Sequence, residues 1–283
     1  MNYKKNMITM YSLIVVVIVI GLSACQKMSR PLLGDYPKDT NPPGGPLKFY
    51  TAFDGTSSSP LMNAVDSIKA NFPADNPFTS IDGISGKGVQ GDGTTFIKYA
   101  GANDFISLAK SFTVSFWEKR NGSPANNSSF VFHFASDNGY WTGGSAMFLL
   151  FDWAAVNTPD SAALKLDVID KNVGDNWFQW IGSDAVKGIQ DNQWHHLAFV
   201  YDETTSVMTL YVDGVADAVT QSWGSHGAAN MDPSKITEFD LGGNSRIPDM
   251  GWGQDWDGGL DQFRLYATAL SAADVQALYN GKQ

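Results

Sequence analysis

The sequence contains very little cysteine, glutamate or histidine. Its 283 residues include one cysteine, Cys25, three glutamates and four histidines. A single thiol cannot form a disulfide within the chain, so the fold must be held together by its core, with or without a metal. The sequence also contains no serine-nucleophile elbow, phosphate-binding loop or dinucleotide fingerprint. These absences exclude several common classes of enzyme.

Basic residues are also scarce. Nineteen lysines and arginines face 29 aspartates and glutamates, which gives a formal net charge of -10. An acidic surface repels phosphate backbones, so we expect no nucleic-acid partner. Carboxylates do bind sugar hydroxyls and hard cations such as calcium, and the charge balance favours those ligands.

The N-terminus has the pattern of a bacterial lipoprotein signal. Lys4 and Lys5 precede an apolar run over residues 8–20, and the lipobox-like sequence Leu22-Ser23-Ala24 precedes Cys25. This pattern predicts that residues 1–24 are a signal peptide and that Cys25 receives a lipid. The protein would then be anchored in the cell envelope, in the outer membrane of a Gram-negative bacterium. The alternative is an uncleaved membrane helix, because the apolar stretch is only slightly shorter than the ~20 residues that a bilayer needs.

The rest of the chain divides into a tether and one domain. Residues 25–46 comprise the predicted lipid site and a segment rich in proline and glycine, without apolar periodicity, which predicts a flexible tether. Residues 47–283 contain eleven short segments rich in β-branched and aromatic residues, separated by glycine, asparagine and aspartate. Their number and length predict one large all-β domain.

Two C-terminal segments carry the clearest local signals. Residues 194–215, WHHLAFVYDETTSVMTLYVDGV, read as two strands followed by a tight turn at Asp213-Gly214. In residues 258–281, GGLDQFRLYATALSAADVQALYNG, a strand leads to Ser271 and Asp274, which are spaced as a capping box for a brief helix. Together the segments resemble the laminin-G-like domain of the concanavalin A-like lectins and glucanases. The resemblance implies a two-sheet antiparallel jelly-roll sandwich with a short C-terminal helix.

The resemblance leaves three functions open. Glycoside hydrolases of this fold carry an ExDxxE strand motif, and none of Glu118, Glu203 and Glu238 belongs to one. We therefore expect a non-catalytic, lectin-like module that binds a polysaccharide. A hydrolase or polysaccharide lyase with other catalytic residues is the second hypothesis, with His133 as a candidate base unless it is a semi-buried strand histidine. A structural or adhesive domain with a protein partner in the envelope is the third.

Aromatic side chains are the candidates for glycan binding. Nine tryptophans are present, and many lie in short strands or loops beside Asp and Asn. Indole faces stack on the C–H faces of sugars while neighbouring polar groups bond hydroxyls. The predicted ligand residues are Trp141, Trp153, Trp177, Trp180, Asn138 and Asp152. The alternative for each tryptophan is a role in the core or in anchoring a loop.

The same resemblance implies a structural calcium ion that ties the first strand to the last. Asp54 and Asp261 stand at the matching positions, and a backbone carbonyl near Gly88 would complete the oxygen ligands. Alternatively, Asp54 caps a turn and Asp261 pairs with an arginine such as Arg264.

Overall fold

The structure is a computed structural model and describes residues 44–54, 61, 63–65, 77–122, 124, 126–141, 143–154 and 160–282. All of them belong to one unit, residues 38–283. The predicted signal peptide, Cys25 and most of the tether lie outside the described residues and stay predictions. Within the described ranges, no helix combines the length and the apolar character that crossing a membrane requires.

The described part of the chain contains sixteen strands, two α-helices and three 3-10 helices (Gly182–Asp184, Pro233–Lys235 and Ile247–Asp249). The strands are β1 (Leu47–Thr51), β2 (Thr79–Asp82), β3 (Lys87–Gln90), β4 (Ile97–Tyr99), β5 (Phe112–Lys119), β6 (Ser128–Ser136), β7 (Ser145–Asp152), β8 (Ser161–Asp170), β9 (Gly174–Trp180), β10 (Val186–Lys187), β11 (His195–Asp202), β12 (Val207–Val212), β13 (Val215–Ser222), β14 (Ile236–Leu241), β15 (Gly253–Gln254) and β16 (Gly259–Tyr266). The α-helices are α1 (Phe105–Leu108) and α2 (Ala272–Gly281).

The strands form two eight-stranded sheets. The first sheet has the order β13-β12-β11-β5-β16-β3-β2, and β1 also pairs with β16. The second has the order β10-β8-β7-β6-β14-β4, with β9 added beside β8 and β15 beside β6. All pairings are antiparallel except the short contact of β15 with β6. This architecture confirms the predicted two-sheet jelly roll.

The core lies between the sheets because each central strand points alternate side chains inward. Phe112, Val114 and Phe116 of β5 are fully buried there. Rings from the two sheets meet directly: Phe132 of β6 lies 5.6 Å from Phe263 of β16, measured between centroids. Each such side chain contributes roughly 1.5–3 kcal/mol through its removal from water, so the aromatic core accounts for much of the stability.

The two local signals near the C-terminus are confirmed. Asp213 and Gly214 have φ angles of 51° and 79° and join β12 to β13, as a type I′ hairpin turn requires. Ser271 and Asp274 make both hydrogen bonds of the capping box at the start of α2. Val275 of α2 then packs on the outer face of the first sheet.

The eleven predicted strand segments each contain a strand, but five strands were missed. Two of these, β10 and β15, are only two residues long. The others are β2, β3 and β13. In β13 the sequence VADAVTQS has exposed or half-buried side chains throughout, because the strand lies at the edge of the first sheet. Such a strand is held by backbone pairing and carries little apolar pattern.

Candidate functional site: a tryptophan groove on the second sheet

The outer face of the second sheet bears a groove whose floor comes from three adjacent strands. Leu150 of β7 lies opposite Lys165 of β8, and Lys165 lies opposite Gln179 of β9. All three point away from the core because their chain neighbours Phe151, Leu164 and Phe178 fill it. The groove has a volume of about 460 Å³, within the usual range for small-ligand sites, roughly 300–1,000 Å³.

Four indole rings line the groove. Trp141 comes from the loop between β6 and β7, Trp153 from the chain just after β7, Trp177 from β9 and Trp252 from the segment before β15. We call this site the tryptophan groove. Trp141 and Trp153 are 37% and 43% exposed, which is unusual for tryptophan and leaves their rings available to a ligand.

Asp175 fixes the orientation of two of these rings. Its Oδ2 accepts hydrogen bonds from Nε1 of Trp141 at 3.3 Å and from Nε1 of Trp177 at 3.1 Å. The two indoles stand edge to face with centroids 4.8 Å apart. Because Asp175 and Phe148 also hold Trp177 from two sides, this wall is formed before any ligand arrives, which limits the entropy lost on binding.

The loop that carries Trp141 is closed by Asn138. The Asn138 Oδ1 accepts hydrogen bonds from the backbone N–H groups of Tyr140 and Ser145, and its Nδ2 donates to the Ser145 carbonyl. The amide of Asn138, one of the predicted ligand residues, is thus engaged with the loop backbone, and its role in ligand binding stays a prediction. At the end of the loop Gly144 has a φ of 120°, and a Cβ there would collide with the Ser136 carbonyl oxygen.

An ion pair occupies one end of the floor. Lys165 Nζ contacts Asp152 Oδ2, and the two side chains are 22% and 9% exposed. Asp152 Oδ1 accepts hydrogen bonds from the Ala154 N–H at 2.9 Å and from the Ser128 hydroxyl at 3.3 Å. Asp152, a predicted ligand residue, therefore lies in the groove with its charge balanced by Lys165, and its role in ligand binding stays a prediction.

A second carboxyl lies on the same outer face of the sheet as the floor. Asp167 points to the same side of β8 as Lys165 and is fully buried, and neither of its oxygens has a hydrogen-bond partner among the described residues. Burial, reinforced by the charge of Asp175, raises the pKa of Asp167 to about 8. Asp167 is therefore mostly neutral at pH 7.

Trp180 does not belong to the groove, which corrects the prediction made for it. It is fully buried in the core, where its Nε1 donates to the Val219 carbonyl at 3.0 Å and its edge packs on Phe199. Alternation along β9 explains the difference, since residues 177 and 180 are three apart and lie on opposite faces of a strand. Trp252, Lys165 and Gln179, which line the groove, were not among the predicted ligand residues.

The histidine considered as a catalytic base is a buried strand residue. His133 Nδ1 contacts Asp240 Oδ2 at 3.1 Å, and its Nε2 contacts the Ser145 hydroxyl at 2.9 Å. All three side chains are fully buried. This network joins β6 to both of its neighbours, β14 and β7, and it confirms the structural interpretation of His133.

The residues predicted to bind calcium converge on the turn between β2 and β3. Asp54 accepts a hydrogen bond from the Lys87 N–H, and Asp261 Oδ2 accepts one from the Ile84 N–H at 2.8 Å. Gly83 and Gly86 pass so close that a Cβ on either would collide with one of these carboxylates. The two aspartates therefore accept hydrogen bonds from the turn and from the first residue of β3.

Asp261 keeps one oxygen free at this turn. The residue is fully buried, and its Oδ1 has no hydrogen-bond partner in the described part of the chain. Burial raises its pKa to about 7, and the nearby charge of Asp54 acts in the same direction. Gly88 lies in β3, where the absence of a side chain lets the strand pass close to the Leu260 carbonyl. Among the described residues, no cluster of three or more Asp, Glu, His or Cys side chains is arranged to hold a metal.

Comparison with known proteins assigns the family. A family model described as the concanavalin A-like lectin/glucanases superfamily, of laminin G type 3, matches residues 92–276. The chain belongs to this superfamily. No curated protein is similar enough to count as a match.

Solved structures of the same fold include sugar-binding and receptor-binding domains. Domain 4 of AbnA, a GH43 extracellular arabinanase from Geobacillus stearothermophilus solved in complex with arabinotriose, has a TM-score of 0.52 and 19% identity, over 82% of this chain and 98% of that one. The botulinum neurotoxin serotype G binding domain has a TM-score of 0.58 and 13% identity, over 83% and 51%. The binding domain of Paraclostridial Mosquitocidal Protein 1 gives 0.55 and 16%, over 83% and 52%. The chain spans about half the length of the two toxin domains, and at these identities the similarity shows the fold alone.

Proposed function

We propose that this protein is a non-catalytic carbohydrate-binding module that holds a glycan in the tryptophan groove. The observation that carries the proposal is the convergence of four indole rings from separate segments around the Asp152–Lys165 pair. Indole faces bind the C–H faces of sugars, and the pair supplies both a donor and an acceptor for hydroxyls. The arabinanase domain of similar fold, solved with arabinotriose, supports the same use of this architecture.

Affinity electrophoresis against a polysaccharide panel tests this function. The panel contains arabinan, galactan, mannan, xylan, β-glucan, polygalacturonate and alginate. We expect retardation by at least one of them, and Trp153→Ala to weaken it at least tenfold, since buried tryptophan anchors typically contribute 2 kcal/mol or more. Leu108→Ala is the control, because Leu108 is a similarly exposed apolar residue of α1 outside the groove. Binding that survives Trp153→Ala, Trp177→Ala and Trp252→Ala together would place the ligand elsewhere.

Incubation of the protein with the same polysaccharides separates binding from cleavage. New reducing ends or unsaturated products would identify a hydrolase or lyase. Binding without products supports a lectin-like module. If the protein neither binds nor cleaves any polysaccharide, a protein partner in the envelope is favoured instead.

We also propose that a calcium ion joins Asp54 and Asp261. The uncompensated Oδ1 of buried Asp261, beside a second carboxylate, is the environment in which a hard cation is favourable. Bound calcium would neutralise both charges and fix the β2–β3 turn to β1 and β16. Addition of calcium should raise the melting temperature and EDTA should reverse the rise, because binding to the folded state alone stabilises it by mass action. An unchanged melting temperature, or an equal response in Asp261→Asn, would contradict the site.

The predicted lipid on Cys25 defines where the module would act. The lipoprotein pattern of residues 22–25 supports anchoring in the envelope. Metabolic labelling with a clickable fatty acid should mark the wild-type protein and fail to mark Cys25→Ser. Equal labelling of both proteins would refute lipidation at this residue.

A further inference from the structure

The floor of the tryptophan groove is balanced in charge, although the protein is strongly acidic. Lys165 and Asp152 face each other on the floor, and buried Asp167 is mostly neutral at pH 7. Lys165 also lies 6.0 Å from the centre of the Trp177 ring, so its charge is directed toward the groove wall. The chain as a whole has a net charge of -10. The floor of the groove therefore presents one cation paired with one anion within a strongly acidic protein.

A ligand carboxylate would disturb this balance. To reach Lys165 it would have to compete with Asp152, whose Oδ1 is held in place by the Ala154 N–H and the Ser128 hydroxyl. Asp152 would then remain 9% exposed, without its cation and beside a like charge. Removing one partner of a largely buried ion pair is strongly unfavourable. The exposed Asp175 carboxylate, fixed between Trp141 and Trp177, adds repulsion at the opposite wall.

An uncharged sugar meets no such penalty. Its hydroxyls can accept from the remaining Lys165 N–H groups and donate to Asp152 without separating the pair, and the Gln179 amide offers one further donor and acceptor on the floor. A neutral sugar also carries no charge that would have to lose its water when the sugar stacks on the four indoles.

We infer that the tryptophan groove selects uncharged glycan segments and discriminates against glycans that carry carboxylates, through the Asp152–Lys165 pair. This inference rests on the proposed function, since it requires that the groove binds glycans, and it narrows the ligand to neutral polysaccharides.

Pairs of polysaccharides that share a backbone and differ in charge test the inference in the wild-type protein. Each neutral member of the panel is compared with its carboxymethylated derivative, and polygalacturonate with its carboxyl-reduced form. We expect the uncharged form of a binding pair to bind at least tenfold more tightly at low ionic strength. Equal or tighter binding of the charged form would overturn the inference and leave the proposed function intact. Failure of every polysaccharide to bind would overturn both.

A variant then assigns the selectivity to the pair. Asp152→Asn leaves Lys165 without its anion, so the preference for the uncharged form should fall at least threefold. Asp217→Asn is the matched control, because it removes the same charge from β13 of the other sheet. An unchanged preference in Asp152→Asn, or an equal fall in both variants, would contradict the role of the pair. The comparison in the wild-type protein decides the main inference even where Asp152→Asn does not fold.

Discussion

Two adjacent histidines of β11 are predicted to respond to pH in opposite ways. His196 is fully buried on the outer face of the first sheet, where its Nε2 contacts the Ser115 hydroxyl at 2.8 Å and its ring packs on Trp117. Burial, with the charge of Arg264 acting in the same direction, lowers the pKa of His196 from 6.5 to about 3. Hydrogen bonds to Asp213 and Asp191 raise the pKa of His195 to about 9, against the effect of burial.

The sign of each contribution follows from linkage between protonation and folding. The unfolded chain protonates His196 near pH 6.5 while the folded protein does not, so the unfolded state gains about 1.4 kcal/mol for each pH unit below 6.5. At pH 4.5, two units lower, the loss of stability is roughly 3 kcal/mol. His195 behaves in the opposite way: its stabilisation is complete below pH 6.5 and disappears as the pH rises through about 9.

Urea denaturation of the wild type, His196→Gln and His195→Gln at several pH values isolates these contributions. Carboxyls such as Asp167 and Asp255, with pKa values raised by burial to about 8 and about 7, titrate equally in all three proteins and cancel in the differences. The stability gap between wild type and His196→Gln should shrink by roughly 3 kcal/mol between pH 7 and pH 4.5. The gap for His195→Gln should shrink instead between pH 6.5 and pH 9. A gap for His196→Gln that stays constant on acidification would refute the assignment of a buried, neutral imidazole.

Three further substitutions test the packing of the groove and of the fold. Gly144→Ala should displace the Trp141 loop and weaken glycan retardation in affinity gels. Gly139→Ala, also at positive φ but with open space around it, should retain most of the binding. Equal effects of the two substitutions would contradict the clash with Ser136. Trp180→Ala should lower the free energy of unfolding by roughly 3–5 kcal/mol in urea titrations, as for other large core residues, and a loss below 1 kcal/mol would show that this ring is not in the core. Ser271→Ala should cost about 1 kcal/mol, the usual contribution of a helix N-cap, and a neutral result would remove the capping box as a source of stability.

The sequence predicted those parts of the fold that depend on local chemistry. The Asp213-Gly214 turn needs two residues that tolerate positive φ, and the Ser271 capping box needs fixed spacing, so both can be recognised in the order of the residues. The edge strand β13 was missed because its stability comes from pairing with β12, and backbone pairing leaves no apolar pattern.

The groove was predicted only in part, because it is assembled from distant segments. Trp141, Trp153 and Trp177 were recognised as candidates because each lies in a loop or short strand near Asp or Asn. The Lys165–Asp152 pair joins neighbouring strands and depends on a register that the sequence does not reveal. The odd spacing of Trp177 and Trp180 within one strand is the signal that places them on opposite faces, and alternation applied strictly along β9 would have assigned Trp180 to the core.

Indole N–H signals in nitrogen-15 NMR spectra offer the most direct test of glycan binding in the tryptophan groove. The protein has nine tryptophans, and substitution of each in turn assigns its signal. On titration with a polysaccharide that binds, the signals of Trp141, Trp153, Trp177 and Trp252 should shift together while those of the buried Trp180 and Trp256 stay in place. Binding that leaves these four signals unmoved and shifts others instead would show that the ligand site lies elsewhere on the molecule.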